Sequence, residues 1–256
     1  ISRWRVFSRI VCGNMNFNSK NIGKYILNVL LPRTCAHCGL DLHYLAPAPL
    51  CPACAAGLEP LPELHCKTCG LPLDDGGRSC RDCRGVATRS LTLARSAFVF
   101  NPQLRSLVHA FKYRAREDLA GFLSGEMAAA LPGFPELAPY NFAVAVPLHP
   151  AKLRERGFNQ AGLLAAGLAA RCNLFHLHDA AERTRNTSSQ TALSKEKRKS
   201  NMAGAFSVGR PELVRGRKIL LVDDVATTLA TLEELASELK KAGAKSVAAY
   251  TLAREP

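Results

Sequence analysis

Long apolar runs are missing from this chain. No stretch approaches the roughly 20 consecutive apolar residues that a membrane-spanning helix needs. The longest candidate near the start, Tyr25 to Leu31, is short and broken by Asn28. It carries no cleavage-like pattern, which argues against a secretory signal peptide. Acidic residues are scarce where basic ones gather. The chain holds 21 Asp and Glu against 34 Lys and Arg, a net charge of +13. Residues 1–40 contain no acid, and residues 181–218 contain few among many Lys and Arg. Such concentrated charge suits phosphates, either of nucleic acid or of a polyphosphate ligand. An initial Met is also missing: the sequence starts at Ile1, and Met15 is a candidate true start. Residues 1–32 are expected to be a leader with one short helix at 21–31.

What is present is ordinary in bulk and specific in detail. A chain of 256 residues, 47% hydrophobic and 21% charged, suffices for one sizeable core plus a small satellite. Its 10 cysteines are not scattered. Eight form Cys-x-x-Cys pairs: Cys35/Cys38, Cys51/Cys54, Cys66/Cys69 and Cys80/Cys83. Nothing in the sequence directs the chain to an oxidising compartment, so metal binding explains these pairs better than disulfides. Four thiolates in tetrahedral array favour Zn²⁺, and eight thiolates make two structural sites. Pairing in chain order and interleaved pairing both fit the spacing. His37 and His65 lie beside ligands and read as bystanders. Residues 33–86 are proline-rich with little apolar periodicity, so metal is expected to stabilise a double zinc-ribbon domain there.

An α/β pattern begins near residue 93 and is expected to run to 256. Ala94 to Phe100 reads as a strand. Asn101-Pro102 starts a helix whose apolar stripe is Leu104, Leu107, Val108 and Phe111. A helix at 117–130, a strand from Phe142 to Val146, a helix at 159–171 and a final strand from Ser246 to Leu252 follow. The segment between Val146 and the 159–171 helix reads as a basic loop. It places Lys152, Arg154 and Arg156 at the carboxyl end of a strand, where arginine forks suit phosphate or pyrophosphate. Residues 183–202 are polar and basic, suited to closing over a pyrophosphate or to meeting nucleic acid.

The most informative stretch is Lys218–Leu232. Ile219 to Val222 forms a run suited to a strand buried on both faces. Asp223 and Asp224 follow, then the hydroxyls of Thr227, Thr228 and Thr231, then a helical pattern from about Leu232. Free N–H groups at a helix start, with threonine hydroxyls around them, can hold a phosphate. The carboxylates suit sugar hydroxyls or a hydrated Mg²⁺ beside it. The sum is a site for a phosphorylated sugar at a strand's carboxyl end.

This stretch resembles the phosphoribosyl-pyrophosphate (PRPP) loop of type I phosphoribosyltransferases. There, two acids meet the ribose hydroxyls and a threonine-rich turn wraps the 5-phosphate. The resemblance implies that Asp223 and Asp224 are the catalytic pair and that Ala226, Thr227, Thr228, Leu229, Ala230 and Thr231 surround the phosphate. The family has glycine where this chain has Leu229. Glycine allows positive φ and close backbone approach; leucine is expected to make both harder and to weaken ligand binding.

Further matching pieces widen the resemblance to the ComF (competence protein F, GntX-like) family. They are the zinc knuckles, Phe111-Lys112-Tyr113, Val146-Pro147-Leu148-His149, Arg154 to Gln160, Arg183-Thr184, Gln190-Thr191, Leu193-Ser194, Arg198, Asn201 and Gly204-Ala205-Phe206. This implies a type I phosphoribosyltransferase-like parallel sheet with helices on both faces, behind the zinc ribbons. It also implies a cytoplasmic protein, or one peripheral at the inner membrane. Such a protein would handle single-stranded DNA during natural transformation, beside other DNA-uptake proteins, and keep a PRPP-type pocket. The alternative it implies is an active Mg²⁺-dependent phosphoribosyltransferase with an unidentified acceptor.

Overall fold

The computed structural model describes residues 32–43, 45–46, 48–74, 76–85, 89–113, 116–186 and 203–256. The expected leader, the 21–31 helix and Met15 lie outside the described residues, as does most of the basic 183–202 segment. Two compact units divide the chain between Cys51 and Pro52.

In the first unit, Cys35-x-x-Cys38-Gly39 forms a tight knuckle. The Gly39 N–H donates to the Cys35 carbonyl (2.9 Å) and the Cys35 N–H to that of Leu40 (2.8 Å). Gly39 takes φ +76°, a conformation glycine adopts freely.

The second unit contains helix α1 (Pro52–Ala56), a second knuckle at Cys66-x-x-Cys69-Gly70, and a five-stranded sheet. Its strands are β1 (Ala94–Val99), β2 (Phe142–Ala145), β3 (Phe175–His176), β6 (Lys218–Ala226) and β7 (Ser246–Arg254), ordered β1-β7-β6-β2-β3 and all parallel. A small antiparallel pair, β4 (Glu182–Arg183) and β5 (Phe206–Ser207), stands beside it. The helices are α2 (Pro102–Tyr113), α3 (Leu119–Ala130), α4 (Pro150–Arg156), α5 (Gln160–Cys172) and α6 (Ala230–Lys241).

The central strand β6 explains the sheet. Ile219, Leu220, Leu221 and Val222 are all essentially inaccessible to solvent, as expected of a parallel strand covered on both faces. Strand alternation sends Ile219 and Leu221 toward the apolar face of α6, where Leu235, Ala236 and Leu239 pack. On the opposite face Tyr250, paired with Val222 in the ladder, donates its hydroxyl to the Met127 carbonyl of α3 (2.7 Å).

Three boundaries differ from expectation. β6 continues through both aspartates to Ala226, because β7 pairs with it as far as Arg254. α6 starts at Ala230 rather than near Leu232. The basic segment expected as a loop contains helix α4, opened by Pro150 at its first position, with His149 Nδ1 accepting the Ala151 N–H (3.2 Å).

The second knuckle is built into the sheet domain. Ala94 N–H donates to the Thr68 carbonyl (2.8 Å), and Arg95 bonds the Lys67 carbonyl (2.9 Å) and Glu136 (2.5 Å). Residues 59–61 run antiparallel along β1 through bonds Val99 N–H to Glu59 and Leu61 N–H to Ala97. A Cβ on Gly70 would meet the Ala94 carbonyl oxygen at 2.9 Å, so only glycine fits this approach.

Candidate functional site

Asp223 and Asp224 lie next to one another near the end of β6, and the charge of Lys112 acts on both carboxyls. Asp224 is buried, 3% exposed. Lys112, from the carboxyl end of α2, forms an ion pair with its Oδ2. Burial would raise the Asp224 pKa, but the charge and hydrogen bond of Lys112 outweigh it and hold the carboxyl below the usual range. Burial likewise works against charge on Lys112, and Asp224 reverses that, raising its pKa. Asp223 is half-buried, and its Oδ1 accepts the Asp224 N–H (2.9 Å). Burial, then repulsion from Asp224, push the Asp223 carboxyl well above the usual range against the pull of Lys112.

Helical spacing places Lys152 and Arg156 of α4 on one face, four residues apart, and turns Arg154 away. Arg154 is exposed, whereas Lys152 and Arg156 are half-buried. Arg156 donates to Gln160 Oε1 (2.5 Å) and lies over the Tyr113 ring, 5.3 Å from its centroid. Burial lowers the Lys152 pKa, and the charges of Arg183 and Arg156 lower it further. Arg183 in β4, stacked over Phe206, is partly desolvated and feels the attraction of Asp223. The cluster therefore comprises Asp223 and Asp224 with Lys112, Lys152, Arg156 and Arg183.

Lys112 and Arg183 were not singled out as ligand residues in sequence. The stripe of α2 accounts for its packing without Lys112, and Arg183 reads as part of a polar segment. Their use depends on tertiary placement. The motif fragments Phe111-Lys112-Tyr113 and Arg183-Thr184 were the available signal.

The turn after β6 completes the site. Thr227 is exposed, Thr228 and Thr231 are half-buried, and Ala226 closes the strand. The Leu229 carbonyl accepts the Glu233 N–H (2.8 Å), which starts α6 and leaves the earlier N–H groups of its first turn outside the helical ladder. Leu229 adopts φ +61°, ψ +3°, the left-handed shape that glycine favours, and its side chain is buried at 5% exposure. The expectation that leucine hinders positive φ is thus met differently: the backbone takes that shape, and burial of the side chain offsets a local cost of about 1–2 kcal/mol.

The cysteines group in chain order, Cys35/Cys38/Cys51/Cys54 and Cys66/Cys69/Cys80/Cys83, each with all sulfurs within 4.8 Å of one another. Tetrahedral Zn–S bonds of about 2.3 Å imply S–S separations near 3.8 Å. Cys38 and Cys51 sulfurs are 3.8 Å apart, and those of Cys69 and Cys80 3.6 Å. Burial opposes ionisation of Cys35 and Cys66, but backbone N–H groups of the knuckles overcome it and bring each thiol to about 6. Both clusters fit structural zinc. His65 stays outside them, its Nδ1 on the Pro62 carbonyl (2.6 Å).

Known proteins resemble this chain in both of its parts. Residues 26–84 match the double zinc ribbon domain, and residues 154–256 the phosphoribosyl transferase domain. The chain is 33% identical over 195 residues to the DNA utilization protein YhgH of Escherichia coli K12, covering 74% of this chain and 83% of that protein. It is 29% identical over 225 residues to competence protein F of Haemophilus influenzae, covering 86% and 96% respectively. Competence protein ComFC of Streptococcus pneumoniae is 28% identical over 212 residues, covering 80% and 87%. Among the described residues no helix is long and apolar enough to cross a membrane.

Proposed function

The chain belongs to the ComF/YhgH competence-protein family, with a double zinc ribbon and a phosphoribosyl transferase domain, and from that premise we propose that it handles single-stranded DNA and keeps a pocket for PRPP. The observation that carries the reading is the pairing of Asp223 and Asp224, at the carboxyl end of the central strand, with Lys112, Lys152, Arg156 and Arg183. An acidic pair ringed by cations suits a ligand carrying both hydroxyls and phosphates.

In this reading Thr227, Thr228, Thr231 and the first N–H groups of α6 hold the 5-phosphate, with Ala226, Leu229 and Ala230 shaping the turn. Asp223 meets the ribose hydroxyls or a hydrated Mg²⁺. Asp224, held by Lys112, fixes the floor of the pocket and orients Asp223. Lys152, Arg156 and Arg183 take the pyrophosphate. Mg²⁺, when bound with the ligand, would screen the diphosphate from the aspartates. Residues 33–86 act as the metal-bound module and residues 93–256 as the sugar-phosphate domain.

The relatives' names refer to DNA utilization and competence. In this chain the basic ridge of α4 and β4, with exposed Tyr113 beside Arg156, supports contact with single strands, phosphates on the cations and a base on the ring. A salt titration of binding to a labelled single-stranded oligonucleotide tests this. Affinity should fall steeply as salt rises; affinity indifferent to salt would contradict it.

A further inference from the structure

We propose that the second cysteine cluster and the turn at residues 226–229 are one cooperative unit joined through Arg254, so that metal in the cluster fixes the turn. The claim that this favours a phosphorylated ligand rests on the reading above; the coupling itself rests on the contacts that follow.

Arg254 ends strand β7 and is 6% exposed. Its guanidinium bonds to two parts of the chain far apart in sequence. Nε donates to the Cys69 carbonyl (3.1 Å), and Nη2 lies 4.0 Å from the Cys69 sulfur. Nη1 donates to the carbonyls of Ala226 (3.0 Å) and Thr227 (2.6 Å). One planar fork thus ties a metal-ligand residue to the backbone that opens the phosphate turn. Lysine, a single ammonium on a flexible stem, cannot span both sets.

A second strap runs parallel to it. Arg89 donates to the Asp82 carbonyl beside Cys83 (3.1 Å) and to Glu233 in the first turn of α6 (3.2 Å). Between the straps lies a cleft of about 540 Å³, with Cys69 and Cys83 among its lining residues together with Thr227, Thr228 and Leu229. Cys66, Cys69 and Cys80 pack into the core of the sheet domain, and metal adds the cross-link between the Cys66/Cys69 and Cys80/Cys83 pairs that tightens the Cys69 peptide further. Without metal, Arg254 loses a fixed anchor, and the turn carrying the strained Leu229 loses its support. Linkage then requires the reverse effect: a ligand ordering the turn tightens metal binding.

The test uses the full zinc-loaded chain and needs no ligand. Amide hydrogen exchange is followed at Glu233, whose N–H closes the first turn of α6 on the Leu229 carbonyl (2.8 Å), with β2 and α5 as internal references. Chelation, and separately Arg254→Met, should each speed exchange of the Glu233 amide by about tenfold or more, the effect of losing a buried hydrogen bond. The two should be strongly non-additive, chelation adding little once Arg254 is replaced. Arg254→Lys should behave like Arg254→Met. Arg171→Met, removing an arginine that bonds the Gly121 and Gly167 carbonyls away from the turn, should leave the Glu233 amide unchanged. Unchanged exchange in either perturbation, additive effects, or equal loss of protection in β2 and α5 would overturn the coupling. A parallel arm measures the equilibrium share of zinc taken by a chromogenic chelator with and without PRPP. A smaller share that requires Arg254 supports the coupling together with the pocket. If PRPP binds yet the share is unaffected, the coupling is overturned. If PRPP does not bind while exchange responds as described, the coupling stands and the PRPP reading fails.

Discussion

Replacing Leu229 by glycine restores the residue that PRPP loops carry, and on sequence grounds this should improve ligand binding. The structure reverses that expectation. Leu229 already holds φ +61°, so the turn gains little shape from glycine. What glycine removes is a side chain only 5% exposed, packed with Leu232 and Leu235 in the core beneath α6. Removing a buried leucine costs about 2–5 kcal/mol, while relief of the left-handed backbone returns about 1–2 kcal/mol. The net is a destabilisation of about 0–4 kcal/mol, centred near 2. For a unit of this size that lowers the melting temperature by about 2–4 °C per kcal/mol. Differential scanning calorimetry with and without PRPP reads both quantities. The expected result is a lower Tm for Leu229→Gly with ligand affinity close to the parent's. A variant as stable as the parent that binds PRPP tenfold more tightly would refute this account of the turn.

Lys112→Met leaves Asp224 buried without its partner and should cost about 3–5 kcal/mol in urea unfolding. Adding Asp224→Asn should recover most of that, and no recovery would show that the ion pair is not what Lys112 supplies. The elevated Asp223 pKa means this carboxyl is still protonated above the usual carboxylate range. Binding of PRPP with Mg²⁺ should therefore strengthen as pH rises through that elevated pKa, with the step missing in Asp223→Asn; identical pH profiles would contradict the assignment. Asp224 has the opposite sign: its depressed pKa gives stability that is complete above the normal Asp value and lost as pH falls through the folded value. Arg156→Gln should weaken oligonucleotide binding across sequences and reduce the salt slope by about 0.7, the share of one single-strand phosphate contact; an unchanged slope would remove Arg156 from the interface.

Local sequence revealed the parts of this site that local chemistry determines. The Ile219–Val222 run identified a two-face-buried strand, and four Cys-x-x-Cys pairs identified two metal clusters, because spacing alone brings thiols together on a tight turn. The residues it missed depend on long-range contacts. Helix α4 spans only Pro150–Arg156 and has no apolar stripe, so its periodicity was hidden behind prolines and charges. Lys112 lies next to the stripe of a helix whose packing was already accounted for. Arg254 meets Cys69 across 185 positions, and nothing near residue 254 marks that contact. Leu229 is visible in sequence as a departure, but the burial that offsets its left-handed backbone depends on tertiary packing.

In the proposed reading the acidic pair, the turn and the cation ring form a pocket for a phosphorylated ribose. Isothermal titration of the zinc-loaded full chain with PRPP and Mg²⁺, beside Asp223→Asn and Arg183→Gln, tests it most directly. Saturable one-site binding is expected in the parent, weakened strongly in both variants. Absence of binding in the parent, or binding that both variants retain unchanged, would contradict it.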